Sequence, residues 1–274
     1  MNKKPLTKKE VIKVLKKIKV IKRNSEIINI LNSNKYILAK NIKSLINVPP
    51  FNNSAVDGYA IRNEDINIKK FKIVNKILAG DNKKIKLNAG ETTQIFTGAR
   101  MPINARAVVM QENVVVKNEF ISILNNPKKN INCRLAGEDV KKNKLLYKKG
   151  TFINTSNQSL LASIGLNHLK VYKKLSVGYF TSGNELKNPT TKLYGSEINN
   201  TNQFALNSLI SQHGFQVSNL GILKDNFNYV RKSIIKYINK FDVIITAGGA
   251  SVGKEDHLVN VLNEIGKVIF WKIA

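Results

Sequence analysis

The chain has 274 residues, 42% of them hydrophobic, and one cysteine. That length accommodates two or more cores, and the apolar fraction excludes a disordered chain. Its net charge of +27 invites a nucleic-acid reading, yet lysine is spread along the whole chain with no basic stripe carrying interleaved aromatics, so no nucleic-acid partner is expected and a small anionic substrate is.

Residues 7–45 read as helical. Thr7 and Glu10 have capping-box spacing, and Val11, Val14, Leu15 and Ile18 recur at helical intervals. A second segment carries Ile27, Ile28, Ile30, Leu31, Leu38 and Ala39. From 49 to about 132 the pattern changes to short β-rich runs, FKIVNKILAGD, TTQIFTG, RAVVMQENVVV and EFISIL, separated by turn signals such as Gly80-Asp81. This is a small all-β module, 49–132, inserted into a helical linker domain made of 1–48 and 133–172, where Thr155–Ile164 is a helix ended by Gly165.

From 173 to 274 strands and helices alternate, which predicts a parallel sheet covered by helices on both faces, a three-layer α/β/α domain. The strands are LSVGYFTSG, FQVSNLGILKD, FDVIITAGG and KVIFWKIA. Helices are expected at Thr201–His213, Tyr229–Asn239 and Lys254–Ile265. The whole is a multi-domain α/β protein. No apolar run nears ~18 residues and MNKKPLTKKE lacks an apolar signal core, so neither a membrane partner nor export is expected; lone Cys133 fits a reducing, cytoplasmic setting.

Ligands in such sheets bind beyond the carboxyl ends of the strands. Those ends carry Ser182, Gly183 and Glu185, then Asp225, then Gly248, Gly249, Ser251, Gly253 and Asp256, with Lys272 on the fourth strand. Each carboxylate alone could be a helix cap or a solvated charge. Three on one rim, Glu185, Asp225 and Asp256, have the hard-oxygen chemistry that Mg²⁺ prefers beside phosphates. GGASVG, between an apolar strand and a helix, is a layout for holding an anion on backbone N–H groups; its spacing is not that of a dinucleotide loop. Asp57, in PPFNNSAVDGYA, fits either a turn cap or a site residue, and Thr97 either a strand end or a site residue. His168, His213 and His257 lack metal-ligand spacing.

PPFNNSAVDGYA (49–60), IFTGARMP (95–102), AGEDV (136–140), TSGNEL (181–186), INNTNQ (198–203), GILKD (221–225) and TAGGASVGKED (246–256) resemble the MoeA family of molybdopterin molybdenumtransferases, related to the C-terminal domain of gephyrin. The resemblance implies binding of adenylylated molybdopterin, Mg²⁺-assisted release of AMP and insertion of molybdate. It implies a homodimer, in which Asp57 and Thr97 complete a shared site, and the molybdopterin adenylyltransferase as a further partner. By position Glu185, Asp225 and Asp256 match the family's functional acids, and Lys272 matches a lysine that holds the oxyanion.

Two departures stand out. Asn184 replaces the family's usual Asp, and the family's Pro-Gly-Lys-Pro and Leu-Pro-Gly-Asn-Pro segments and C-terminal β-domain do not follow. The resemblance therefore points to a C-terminally incomplete chain, a fragment or a degenerate protein. Two alternatives follow: a non-catalytic molybdopterin-binding or gephyrin-like scaffold module, or a molybdopterin adenylyltransferase, against which the inserted β-module argues.

Overall fold

The structure is a computed structural model, described over residues 5–18, 23–248, 257–270 and 273–274. It divides into two compact units, one of Ile28–Asn34 and Leu38–Leu169, the other of Met1–Ile27, Lys35–Ile37 and Lys170–Ala274.

The helical expectation for 7–45 holds only at its start. Helix α1 spans Lys8–Lys17, with the Thr7–Glu10 capping box formed in both directions and Lys16 and Lys17 at its negative end. Beyond it come a strand at Ser25–Asn29, one 3₁₀ turn at Ile30–Asn32 and short strands at Ile37–Leu38 and Ile42–Lys43. Ile27, Ile28 and Ile30 are β-branched and resist the helical χ1. The Asn29 side chain accepts from the Leu31 N–H, which turns the chain there instead of continuing it.

Six strands build the β-module: β1 (Gly58–Ile61), β2 (Lys70–Ile77), β3 (Glu91–Ile95), β4 (Ala107–Met110), β5 (Val114–Lys117) and β6 (Phe120–Ile123). Their order is β4-β1-β3-β2-β6-β5, antiparallel except for the β2–β3 pair. Alternating residues feed two cores. Ala60, Ile77, Ile95 and Val108 pack with Leu87 and Met101; Tyr59, Ile61, Phe71, Val109 and Ile121 form the other. Helix α2 (Thr155–Ser163) follows, capped by reciprocal bonds between Asn154 and Asn157.

In the second unit β7 (Ser176–Ser182) lies between β8 (Gln216–Leu223) and β9 (Val243–Ala247), all parallel. Helix α3 (Asn202–Gln212) packs Leu206 and Ile210 on Val177 and Tyr179. Helices α4 (Phe227–Ile238) and α5 (His257–Ile265) pack Val230, Ile234, Leu258 and Val261 around Phe180 and Leu223. Successive β7 residues thus serve opposite layers, as a sheet covered on both faces requires. The expected fourth strand does not form among the described residues. Val268, Ile269 and Phe270 instead line a cavity of about 400 Å³ with Ile238, Leu262 and Ile265. Ile273 makes one isolated parallel bridge to Leu6. No helix among the described residues is long and apolar enough to cross a membrane.

Candidate functional site

Parallel strands deliver their carboxyl ends to one side, so the residues after β7, β8 and β9 share a rim. Thr181 pairs with Ile222 of β8 and Ala247 of β9. Immediately beyond, the Gly183 N–H donates to the Leu223 carbonyl (3.1 Å). Gly183 has φ +148°, and a Cβ on it would lie 2.5 and 2.6 Å from the two Glu185 carboxylate oxygens. The Glu185 carboxylate therefore occupies space that only glycine leaves free. Gly248 plays the same part against the backbone: at φ +93°, its Cβ would stand 2.6 Å from the Ser182 carbonyl oxygen. Gly248 lets the ends of β7 and β9 close on each other, and Gly183 leaves room for the Glu185 carboxylate.

Asp225 follows β8, and its N–H donates to Asn184 Oδ1 (3.2 Å), tying the turn after β8 to the turn after β7. Glu185 and Asp225 are both exposed on the rim. An amide at 184 accepts this bond without adding a third negative charge. The donor atoms are all oxygen, from Glu185, Asp225, Asn184 and Ser182, and that chemistry fits Mg²⁺, which takes oxygen ligands and keeps waters and substrate phosphates. Among the described residues no group of three or more His, Cys, Asp or Glu is placed to hold a metal. Five residues expected here, Gly249, Ser251, Gly253, Asp256 and Lys272, lie outside the described residues.

In the β-module the 49–60 loop is sewn to its neighbours by backbone bonds. Ser54 N donates to Ala99 O (3.0 Å), Gly98 N to Ser54 O (2.8 Å), Met101 N to Asn52 O (2.9 Å) and Ala55 N to Asn132 O (2.9 Å). Buried Ser54 turns its hydroxyl onto the Val56 carbonyl (2.5 Å). The result brings Asp57 and Thr97 together. Asp57 Oδ1 accepts from both the Thr97 N–H (2.7 Å) and the Thr97 hydroxyl (2.8 Å). Those two bonds, the backbone one first, hold the Asp57 carboxyl below its ordinary range. Gly58 next to it is forced by sheet pairing, since a Cβ there would lie 2.0 Å from the Val109 carbonyl oxygen.

The AGEDV segment has a structural task. Arg134 donates to Glu138 (2.7 Å) and Asp139 (2.7 Å), a fork that neither acid announces in the sequence. Sequence reasoning also passed over Asn200, which is buried one residue before Thr201 at the head of α3. The signal available was an asparagine three residues before Gln203, the spacing of a side chain capping a helix N–H.

Comparison with known proteins places the chain in a family. The family model described as MoeA N-terminal region (domain I and II) matches residues 6–165. The model described as a probable molybdopterin binding domain matches 178–274. A molybdopterin molybdenumtransferase of Haemophilus influenzae is 36% identical over 252 residues, 91% of this chain and 62% of that protein. One from Nostoc is 34% identical, covering 90% and 58%. The chain thus spans about three fifths of the length of these curated relatives. A crystal structure of a molybdopterin biosynthesis MoeA protein from Pyrococcus horikosii superposes with a TM-score of 0.80 at 32% identity, over 99% of this chain and 69% of that one.

Proposed function

The chain belongs to the MoeA family, and on that premise we propose that it serves molybdenum cofactor biosynthesis as a molybdopterin molybdenumtransferase acting on adenylylated molybdopterin and molybdate. The observation that carries this reading is the rim at the ends of β7, β8 and β9, where Glu185, Asp225 and Asn184 surround a strand end closed by Gly183 and Gly248. Ser182, Gly248, Gly249, Ser251 and Gly253 would hold the phosphate of the pterin through hydroxyl and backbone N–H groups, while Gly183, whose N–H is taken by the Leu223 carbonyl, would shape the rim around them. Glu185, Asp225 and Asp256 would hold Mg²⁺, which when bound neutralises phosphate charge. Lys272, a point charge, would hold the molybdate oxyanion.

Asp57 enters this scheme ionised. Its carboxylate is already committed to Thr97, so it acts as an acceptor that orients the Thr97 hydroxyl and not as a proton donor at neutral pH. A homodimer in which Asp57 and Thr97 serve the second copy, the molybdopterin adenylyltransferase as a supplier of substrate, and the layout of a linker (1–48, 133–172), inserted β-domain (49–132) and molybdopterin-binding domain (173–274) belong to the same proposal.

The test incubates the purified chain with adenylylated molybdopterin, molybdate and Mg²⁺, measuring AMP release and molybdenum retained on the pterin, beside Asp256→Ala and Glu185→Gln. The transferase reading expects release by the parent protein and its loss in both variants. Binding without release would replace it with the molybdopterin-binding module, and absence of binding would remove both.

A further inference from the structure

The turn that carries Glu185 leaves β7 at Ser182 and returns to the protein at α3, and one buried contact joins its two ends. Thr181, the last fully buried residue of β7, and Asn200 are each 1% exposed. Asn200 Nδ2 donates to Thr181 Oγ1 at 2.8 Å. The same asparagine uses its other groups: Oδ1 accepts from Gln203 N in the first turn of α3 (3.3 Å), and its backbone N–H donates to Lys187 O (2.8 Å). Between these anchors Leu186 and Lys187 pair in parallel with Ile198 and Asn199, and Ile198 N donates to Glu185 O (2.8 Å).

No solvent-facing alternative is open to either side chain, so their bond is held at one geometry. An amide or hydroxyl left unmatched in such a place costs more than the bond is worth when made. The position of the contact gives it consequence. It lies one residue before Ser182, which Gly248 presses from the β9 side, and it closes the excursion that sets the Glu185 backbone.

We propose that Thr181 and Asn200 are positioning residues for the molybdopterin site: their buried bond fixes the Ser182–Glu185 turn so that Glu185 and the strand-end amides stay in register with Asp225 and Gly248. This rests on the functional reading above, in that the ligand of the turn is taken to be molybdopterin. Its structural half does not depend on that reading.

Thr181→Val keeps the shape and β-propensity of the side chain and removes the hydroxyl; Thr181→Ser restores it. Hydrogen exchange of the intact chain is followed at amides 183–187 and 198, together with molybdopterin affinity by quenching of protein fluorescence and thermal unfolding by circular dichroism. The expected result is about tenfold faster exchange at these amides in Thr181→Val, with molybdopterin binding weakened by about tenfold, and recovery of both in Thr181→Ser. Exchange elsewhere in β7, β8 and β9 stays at the parent rate. Unchanged exchange in Thr181→Val overturns the proposal, as does equal acceleration throughout the sheet or failure of Thr181→Ser to recover. If the parent protein binds no molybdopterin, the functional reading falls, while the exchange pattern still decides whether the bond orders the turn.

Discussion

Gly183→Ala separates two effects that one methyl group produces at the rim. The first is backbone strain: at φ +148° an L-residue sits in a region populated almost only by glycine, at a cost on the order of 1–3 kcal/mol. For a chain of this size that corresponds to a fall in Tm of about 2–10 °C. The second is displacement. The new Cβ would lie 2.5 Å from Glu185 Oε1, well inside contact distance, but the obstacle is the end of a flexible side chain. Glu185 therefore swings away at little energetic cost and loses its place. Thermal unfolding reads the first effect; under the proposed function, AMP release and calorimetric Mg²⁺ titration read the second. In a Glu185→Ala background there is no carboxylate to displace, so Gly183→Ala should still lower Tm by the same amount while adding no further loss of AMP release or Mg²⁺ binding. An undiminished functional loss in that background would refute the reasoning, as would a Gly183→Ala protein with the parent Tm.

Three further outcomes follow from the β-module. The folded Asp57 carboxyl is held below its ordinary value, so its tie to Thr97 is fully present above the unfolded pKa of about 3.9 and is lost as pH falls through the lower folded value; the Thr97 amide resonance should titrate with a midpoint under 3.9, moving upward in Thr97→Val, and a midpoint above 3.9 contradicts the assignment. Gly58→Ala places a Cβ 2.0 Å from the Val109 carbonyl oxygen, with backbone on both sides and nothing flexible to yield. It should exceed the 1–3 kcal/mol of ordinary overpacking, and a parent-like urea midpoint would show that β1 and β4 separate more easily than their pairing implies. Phe71→Ala empties a fully buried ring site among Tyr59, Ile61 and Ile121, costing about 3–5 kcal/mol in the same urea assay; a loss under 1 kcal/mol would mean that the core refills.

The second unit was legible because its elements carry their own punctuation. Asn226 caps α4 through Tyr229 N, Gly214 follows α3, and the β7 run is apolar on both faces, as a central strand buried between layers must be. The first unit was less so. In RAVVMQENVVV neither Gly nor Pro marks a break, yet the segment divides into β4, a 3₁₀ turn at Gln111–Asn113 and β5. β4 and β5 lie at opposite edges of the six-stranded sheet. The division is made by non-local pairing, β4 with β1 and β5 with β6, which no local propensity encodes. The isoleucine-rich stretch after α1 failed for a related reason: helical spacing in a short apolar run does not distinguish a helix from strands whose partners lie far along the chain.

At the site, spacing revealed residue types better than it revealed their work. Asp57 and Thr97 are 40 residues apart, and only the folded β-module shows that one carboxylate oxygen accepts both Thr97 donors. The glycines carry the sharper lesson. In the sequence Gly183 and Gly248 invite one explanation, close approach of backbone N–H groups to a phosphate. In the fold each has a neighbour where its Cβ would be, Glu185 for Gly183 and the Ser182 carbonyl for Gly248, and the Gly183 N–H is already donating to Leu223. That amide is therefore not free for an anion. Gly183 is required to pack the rim, whatever the rim binds, and under the proposed function a phosphate at the end of β7 would take the Ser182 hydroxyl and not the Gly183 amide. Mutating Gly183 consequently tests geometry, whereas Ser182→Ala tests ligand contact, and the two variants should part company in affinity for molybdopterin measured against Tm.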